Sequence, residues 1–62
     1  MFNAHWEIVD EDREDFGTCD SKTCSTLDEA REWLGFRLNH WDYYCIVFNN
    51  EDGHVALTGW LA

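Results

Sequence analysis

Residues 26–34 read Thr-Leu-Asp-Glu-Ala-Arg-Glu-Trp-Leu, and this stretch decides the fold class because it carries the clearest helix signal in the chain. Thr26 and Glu29 have the spacing of a capping box. In that arrangement the Thr26 hydroxyl accepts from the Glu29 amide, and the Glu29 carboxylate accepts from the Thr26 amide. Acidic residues in the first turn also interact favourably with the helix dipole. The pattern predicts a helix from about Leu27 to His40.

The predicted helix has one apolar stripe and one acidic side. Apolar residues recur at spacings of three and four, as on the core face of a helix: Leu27, Ala30, Leu34, Leu38 and Trp41. The acidic residues of the opposite side are Asp28, Glu29 and Glu32, and Phe36 lies among them. A helix with a single apolar stripe needs one other layer to cover that stripe.

Strand signals lie on both sides of the helix. Phe2–Val9 alternates between apolar and polar residues, which is typical of a half-buried strand. Tyr43–Asn49 is rich in β-branched and aromatic residues, and His54–Leu61 alternates again after the turn Asn50–Gly53, so these two segments predict a hairpin. The polar connection before the helix has room for a short strand near Phe16–Cys19, which would pair with the first strand.

The order of these elements is β–(β)–α–β–β. It predicts an α+β fold: a single small two-layer domain over residues 1–62, with an antiparallel sheet and one α-helix packed on it. A chain of 62 residues has a thin stability margin. Four Trp, four Phe and two Tyr supply large side chains that compensate for the short length.

The chain is strongly acidic. Thirteen Asp and Glu against four Lys and Arg give a formal net charge of −9. Nucleic acids and anionic membranes attract basic surfaces, so the charge argues against direct binding to either. The natural partner is a basic macromolecule, such as a nucleic-acid-binding protein or an effector complex, or else a cation.

The densest charge is the run Asp10–Asp15, which holds five carboxylates in six residues. Six extended residues span at most about 20 Å, which gives one charge per roughly 4 Å. One strand of duplex DNA carries a phosphate about every 3.4 Å, so the linear densities are similar. The run is either a solvated loop or an anionic contact surface, and the sequence leaves both interpretations open. The contact surface would comprise Asp10, Glu11, Asp12, Glu14, Asp15, Asp28, Glu29, Glu32 and Phe36.

Metal and cofactor motifs are weak. An EF-hand loop starting at Asp10 would need Gly where Asp15 stands and Glu where Ser21 stands. Cys19 and Cys24 have a spacing that zinc sites use, but no second close pair completes a tetrahedral set. We therefore expect no metal site and no cofactor, and folding that does not depend on zinc.

Catalytic motifs are missing as well. The sequence contains no Gly-rich phosphate loop, no G-x-S-x-G and no H-E-x-x-H. A chain this short also has little room for a substrate pocket of about 300 Å³ or more. The sequence therefore predicts a protein that is not an enzyme.

Cysteine usage and hydropathy bear on the compartment. The chain has an odd number of cysteines, three, and no long apolar run near Met1. These features predict no signal peptide, no membrane span and a reducing, cytoplasmic location. Cys45 lies inside an apolar run, where a reduced cysteine behaves as a small hydrophobe.

In charge and size the chain resembles the small acidic inhibitors that phages direct at host defence, namely DNA-mimic inhibitors of restriction or repair enzymes and anti-CRISPR proteins. The residues that carry the resemblance are the run Asp10–Asp15 with Asp28, Glu29 and Glu32. Members of this group differ in fold, so it transfers no site residue by alignment.

The resemblance implies an inhibitor that acts in the host cytoplasm and occupies the DNA-binding surface of a larger nuclease or effector complex. Two alternatives stay open. One is an acidic housekeeping or structural domain of a salt-adapted cytoplasm, and the other is a small metal-binding domain.

Overall fold

The helix begins where the capping signal predicts. In the computed structural model, which describes residues 1–59, Oγ1 of Thr26 accepts from the Glu29 amide at 3.1 Å. Helix α1 then runs over Leu27–Leu34. The Glu29 carboxylate accepts from the amide of Ser25 at 2.8 Å, so the box closes on the residue before the predicted one.

The helix changes character at Gly35. This residue has φ of 56°, a conformation that glycine adopts without a Cβ clash. A 3-10 helix, Gly35–Asn39, continues from there and ends one residue before the predicted limit at His40. The helical segment therefore has nearly the predicted length, but only its first eight residues are α-helical.

Four strands form one sheet. They are β1 (Phe2–Ile8), β2 (Cys19–Cys24), β3 (Tyr43–Asn49) and β4 (Val55–Thr58). The order across the sheet is β2-β1-β3-β4, and every neighbouring pair is antiparallel. The helical layer packs on one face of this sheet, which confirms the predicted α+β two-layer class.

Strand β2 lies further along the chain than the sequence predicts, so the position near Phe16–Cys19 was wrong. Gly17, with φ of 88°, bonds the carbonyl of Ile8 through its amide at 3.1 Å. The Ile8 amide in turn bonds the carbonyl of Thr18 at 2.9 Å, and the ladder with β1 begins there. The strand itself reads Cys-Asp-Ser-Lys-Thr-Cys, which has little intrinsic strand preference. Pairing with β1 makes this segment a strand.

The core lies between α1 and the sheet. Its buried residues are Ala4, Ile8, Cys24, Ala30, Leu34, Tyr43, Cys45 and Val47. Leu27 and Leu38 are partly buried against this cluster, in agreement with the predicted stripe. Trp41 was also predicted in the stripe but is 56% exposed, because the helical segment ends at Asn39, before this position.

A bulge interrupts the last hairpin. Val47 pairs with Leu57 and Phe48 pairs with Val55, so the register shifts between the two pairs. Val55 and Leu57 were predicted to share a face, but the bulge separates them. Leu57 packs against the core while Val55 is 50% exposed. The remaining predicted positions of this strand, Trp60 and Leu61, lie outside the described residues.

The second face of the sheet carries no helix among residues 1–59. We call it the open face. Cross-strand partners place its side chains together: Asn3, His5 and Glu7 from β1, Cys19, Ser21 and Thr23 from β2, and Tyr44, Ile46 and Phe48 from β3. Tyr44 is 44% exposed and Phe48 is 40% exposed, so an apolar strip runs beside the polar pairs.

Candidate functional site: the acidic loop and its aromatic neighbours

The acidic run forms a folded loop between β1 and β2. Two consecutive turns shape this loop. The amide of Arg13 donates to the carbonyl of Asp10, and the amide of Phe16 donates to the carbonyl of Arg13, each at 3.2 Å. Oδ1 of Asp10 accepts from the Asp12 amide at 3.0 Å. The carboxylates are therefore gathered in turns, not strung along an extended chain. The linear estimate from the sequence, which assumes an extended chain, therefore does not describe their spacing.

Arg13 anchors this loop to the body of the protein. Its Nε atom donates to Oδ1 of Asp15 and its Nη2 atom donates to Oδ2, each at 2.9 Å. Its Nη1 atom donates to Oδ2 of Asp42 at 3.0 Å. The hydrogen bond from Arg13 holds the pKa of Asp15 below its ordinary value, and the Asp15 bond raises the pKa of Arg13. Asp15 thus has a charged partner within the loop, while Glu11, Asp12 and Glu14 are exposed to solvent.

Tyr43 connects the loop to a group of aromatic side chains. The Arg13 guanidinium lies 5.3 Å from the Tyr43 ring centroid, and the Phe36 ring meets the same ring edge-on at 5.6 Å. His40 stacks on Trp41 with centroids 6.4 Å apart and also meets Tyr43 edge-on at 5.6 Å. Phe36 is 60% exposed and Trp41 is 56% exposed. The structure therefore brings Phe36 and the acidic loop to the same end of the molecule.

Two of the four basic residues are held against aromatic rings. The Arg37 guanidinium lies 4.4 Å from the Trp6 centroid and 4.9 Å from that of Phe36. Its Nε atom is buried with no hydrogen-bond partner among the described residues, so the ring faces provide its main stabilisation. Arg13 is held by carboxylates and Tyr43. Neither cation is therefore paired with Glu11, Asp12 or Glu14, the other exposed carboxylates of the loop.

The acidic residues of the helix lie towards the other end of the sheet. Glu29 bonds the amide of Ser25, which follows Cys24, and Cys24 pairs with Phe2 at the start of β1. The acidic loop follows Ile8 at the end of β1. A strand of this length spans about 20 Å, so Asp28 and Glu29 are separated from the loop by most of the sheet, with Glu32 one turn nearer.

The turn between β3 and β4 lies at the same end as the helix start. The amide of Asn50 bonds the carbonyl of Met1 at 3.0 Å, and a carboxylate oxygen of Glu51 lies 3.9 Å from the amino terminus. Glu51 and Asp52 therefore do not join the acidic loop.

The cysteines have separate environments. Cys19 is exposed, whereas Cys24 and Cys45 are fully buried. Cys19 and Cys24 occupy the two ends of β2 and point to opposite faces, about 16 Å apart along the strand. A disulfide needs Cα atoms within about 7 Å, so this pair does not fit one. Burial raises the pKa of the Cys45 thiol, which favours its neutral form.

Sequence analysis missed a cluster of possible metal ligands on the open face. His5, Glu7 and Cys19 each offer one ligand atom, and these three atoms lie within 4.8 Å of one another. The alternation of β1 indicates that His5 and Glu7 share a face. Their relation to Cys19 depends on the position of β2, which was predicted several residues too early.

A shallow depression lies beside this cluster on the open face. It encloses about 260 Å³ and is lined in part by His5, Ser21 and Phe48. Nδ1 of His5 lies 2.7 Å from Oγ of Ser21, and His5 belongs both to the lining of the depression and to the metal-ligand cluster.

Comparison of the chain with protein-family models, with curated proteins and with solved structures found no match. No helix within residues 1–59 has both the length and the apolar character that a membrane span requires.

Proposed function

We propose that the protein is a binding protein without catalytic activity, which inhibits a larger partner by covering its basic nucleic-acid-binding site with an acidic surface. The observation that carries this proposal is the acidic loop Asp10–Asp15, which Arg13 anchors beside the exposed aromatic rings of Phe36 and Trp41. Partners of this kind include restriction enzymes, repair enzymes and CRISPR effectors.

Electrostatics supports an anionic contact at this loop. Glu11, Asp12 and Glu14 are exposed, and the basic residue nearest to them in sequence is already paired with Asp15 and Asp42. Exposed charges of one sign steer an oppositely charged partner and raise its association rate. A phosphate-binding groove on the partner would meet these carboxylates where it otherwise meets the DNA backbone.

The aromatic rings supply what charge alone lacks. Large exposed side chains at the centre of an interface often carry most of the binding free energy. Phe36 and Trp41 are both more than half exposed and lie on either side of His40 in sequence. In the proposed complex they form the apolar anchor, and the loop carboxylates form the charged rim. The helix residues Asp28, Glu29 and Glu32 extend the negative field along the domain.

The chain offers a matched pair of variants for the test. Glu11-Asp12 in the loop and Glu51-Asp52 in the β3–β4 turn are identical dipeptides at opposite ends of the sheet. E11Q/D12N and E51Q/D52N each remove one Glu charge and one Asp charge. Asn keeps the oxygen through which Asp52 accepts from the His54 amide at 2.9 Å.

The assay measures binding to a panel of purified restriction, repair and CRISPR enzymes, with and without competing duplex DNA, at several salt concentrations. For a partner found this way, E11Q/D12N should weaken binding about tenfold and flatten the salt dependence, while E51Q/D52N leaves both nearly unchanged. F36A should also weaken binding, with V55A as the control for loss of an exposed apolar side chain. Equal effects of the two charge variants, or simultaneous binding of DNA, would contradict the proposal.

Salt also separates this proposal from salt adaptation. A DNA-mimic inhibitor has to fold at the ionic strength at which its partner binds DNA. A domain whose acidity is a salt adaptation loses its structure as salt is removed, because repulsion among its carboxylates is then unscreened. Far-UV circular dichroism at low and molar salt measures this. Folding confined to molar salt would favour the adaptation.

A further inference from the structure

Three potential metal ligands of different chemistry project from the open face of the sheet. Glu7 lies directly opposite Cys19 in the β1–β2 ladder, and His5 precedes Glu7 by two residues on the same face. The amide of Ile8 donates to the carbonyl of Thr18. Hydrogen-bonded and non-hydrogen-bonded pairs alternate along an antiparallel ladder, so the next pair, Glu7 and Cys19, is a non-hydrogen-bonded pair. Side chains approach most closely at such pairs. The backbone of two paired strands therefore holds these ligands near one another.

The donor set favours zinc. An imidazole nitrogen, a carboxylate oxygen and a thiolate sulfur are the three donor types that Zn²⁺ takes from proteins, whereas Ca²⁺ and Mg²⁺ take oxygen. Zinc bond lengths of about 2.0–2.3 Å place tetrahedral ligands about 3.3–3.8 Å apart. The three atoms already lie within 4.8 Å of one another. Small side-chain rotations bring them to that separation, and Cys19 is exposed and free to make them.

Ser21 positions the histidine. Its Oγ lies 2.7 Å from Nδ1 of His5, and the two residues are direct partners across the strands. A proton on Nδ1 donated to this hydroxyl leaves the lone pair of Nε2 for a metal. Histidines that bind metals commonly have such a partner on the second ring nitrogen, which fixes the ring and its tautomer.

The charge of the protein favours a cation at this position. A net charge of −9 raises the local concentration of cations at the surface. Lys22, next to Ser21 in β2, pairs with Ala4 and so points to the other face of the sheet. By this alternation, strands β1 and β2 as described place no Lys or Arg side chain on the face of His5, Glu7 and Cys19, although part of Lys22 lines the adjacent depression.

We infer that His5, Glu7 and Cys19 bind one Zn²⁺, with water in the fourth position. The site shares no residue with the acidic loop, and the inference does not depend on the proposed inhibitory function. Its ligands come from a sheet that the core already stabilises, so the metal binds a formed site and is not required for folding.

The test uses Co²⁺ as a spectroscopic probe and Zn²⁺ as its competitor. Co²⁺ bound in a site with a thiolate ligand gives a sulfur-to-metal charge-transfer band in the near ultraviolet and strong visible bands when four-coordinate. Wild-type protein, kept reduced, should show these bands at one equivalent of Co²⁺ and lose them on addition of one equivalent of Zn²⁺. Zn²⁺ should also raise the melting temperature.

Four variants assign the ligands. C19S, an exposed and nearly isosteric change, should abolish the charge-transfer band. S21A should lower the affinity for Co²⁺ about tenfold. H5A and E7Q should each lower that affinity more than S21A does. H54A removes an exposed histidine of the β3–β4 turn and serves as the control that leaves the spectrum unchanged. Circular dichroism checks that each variant is folded. Absence of the bands in wild type, or their persistence in C19S, would overturn the inference.

Discussion

Nη1 of Arg13 lies 3.0 Å from Oδ2 of Asp42, a residue 29 positions further along the chain. This contact joins the acidic loop to the start of β3. Asp42 is only 8% exposed, and its other carboxylate oxygen is buried with no hydrogen-bond partner among the described residues. Arg13 therefore supplies the charged hydrogen bond to this carboxylate, and Nδ1 of His40 lies farther away, 3.8 Å from the same oxygen.

Loss of this contact should destabilise the fold. In R13Q the buried carboxylate of Asp42 loses its charged partner, which is costlier than loss of an exposed ion pair. R31Q removes the same charge from an exposed position of α1 and is the control. Urea denaturation should give a lower midpoint for R13Q than for R31Q. Identical midpoints would show that Arg13 does not stabilise Asp42.

Stability should depend on pH through Asp15. Its pKa in the folded protein lies below the ordinary value of 3.8 because Arg13 donates to it. The unfolded chain therefore binds the proton first as pH falls, so the contribution of this carboxylate is fully present above the ordinary pKa. It is lost as pH falls through the folded pKa. The difference in free energy of unfolding between wild type and D15N should be constant near neutral pH and disappear in strong acid. A difference that grows as pH falls would contradict this assignment.

The three cysteines should differ in reactivity. Cys19 is exposed, Cys24 and Cys45 are buried, and burial raises the pKa of Cys45. Because the thiolate is the reactive form, a thiol reagent should modify one cysteine rapidly in the native protein and three in denaturant. C19S should remove the rapid phase. A rapid phase of two or three equivalents would mean that the core opens more readily than the structure indicates.

Gly59 should tolerate no side chain. A Cβ at this buried position would lie 3.0 Å from Cβ of Cys45 and 3.1 Å from Cα of Leu38. G59A should therefore lower the free energy of unfolding by about 1–3 kcal/mol through overpacking. G35A is the comparison, because a Cβ there meets no atom within 4 Å and only the positive φ opposes it. Its cost should be about 1–3 kcal/mol from backbone strain alone, because residues other than glycine rarely adopt φ of 56° with ψ of −132°. If G59A is as stable as wild type, Leu38 does not pack against Gly59 as described.

The fold class was predictable because its signals are local. The capping residues before Leu27 and the alternation of Phe2–Val9 each depend on side chains within a few residues. Strand β2 was misplaced because its polar sequence becomes a strand only through pairing with β1. The exposure of Trp41 was missed for a related reason. The three- and four-residue spacing of apolar residues in the sequence continues to Trp41, whereas the helical segment ends at Asn39.

The candidate sites were predictable in part. Sequence indicated the acidic run and an exposed Phe36, and the exposure of Phe36 is confirmed. It did not indicate that Arg13 would neutralise Asp15, because that depends on the turns of the loop. The cluster His5, Glu7 and Cys19 depends on the register between two strands, and a shift of one residue would turn Cys19 to the other face.

The central place of β1 in the sheet has a consequence for synthesis of the protein. Strand β1 pairs on one side with β2, which follows closely, and on the other with β3, whose partners lie 35 to 47 positions later. Until β3 is synthesised, β1 has one unpaired edge. The sheet therefore cannot close before Tyr43–Asn49 has been synthesised, and a chain stalled before Tyr43 presents this edge to chaperones or to other nascent chains.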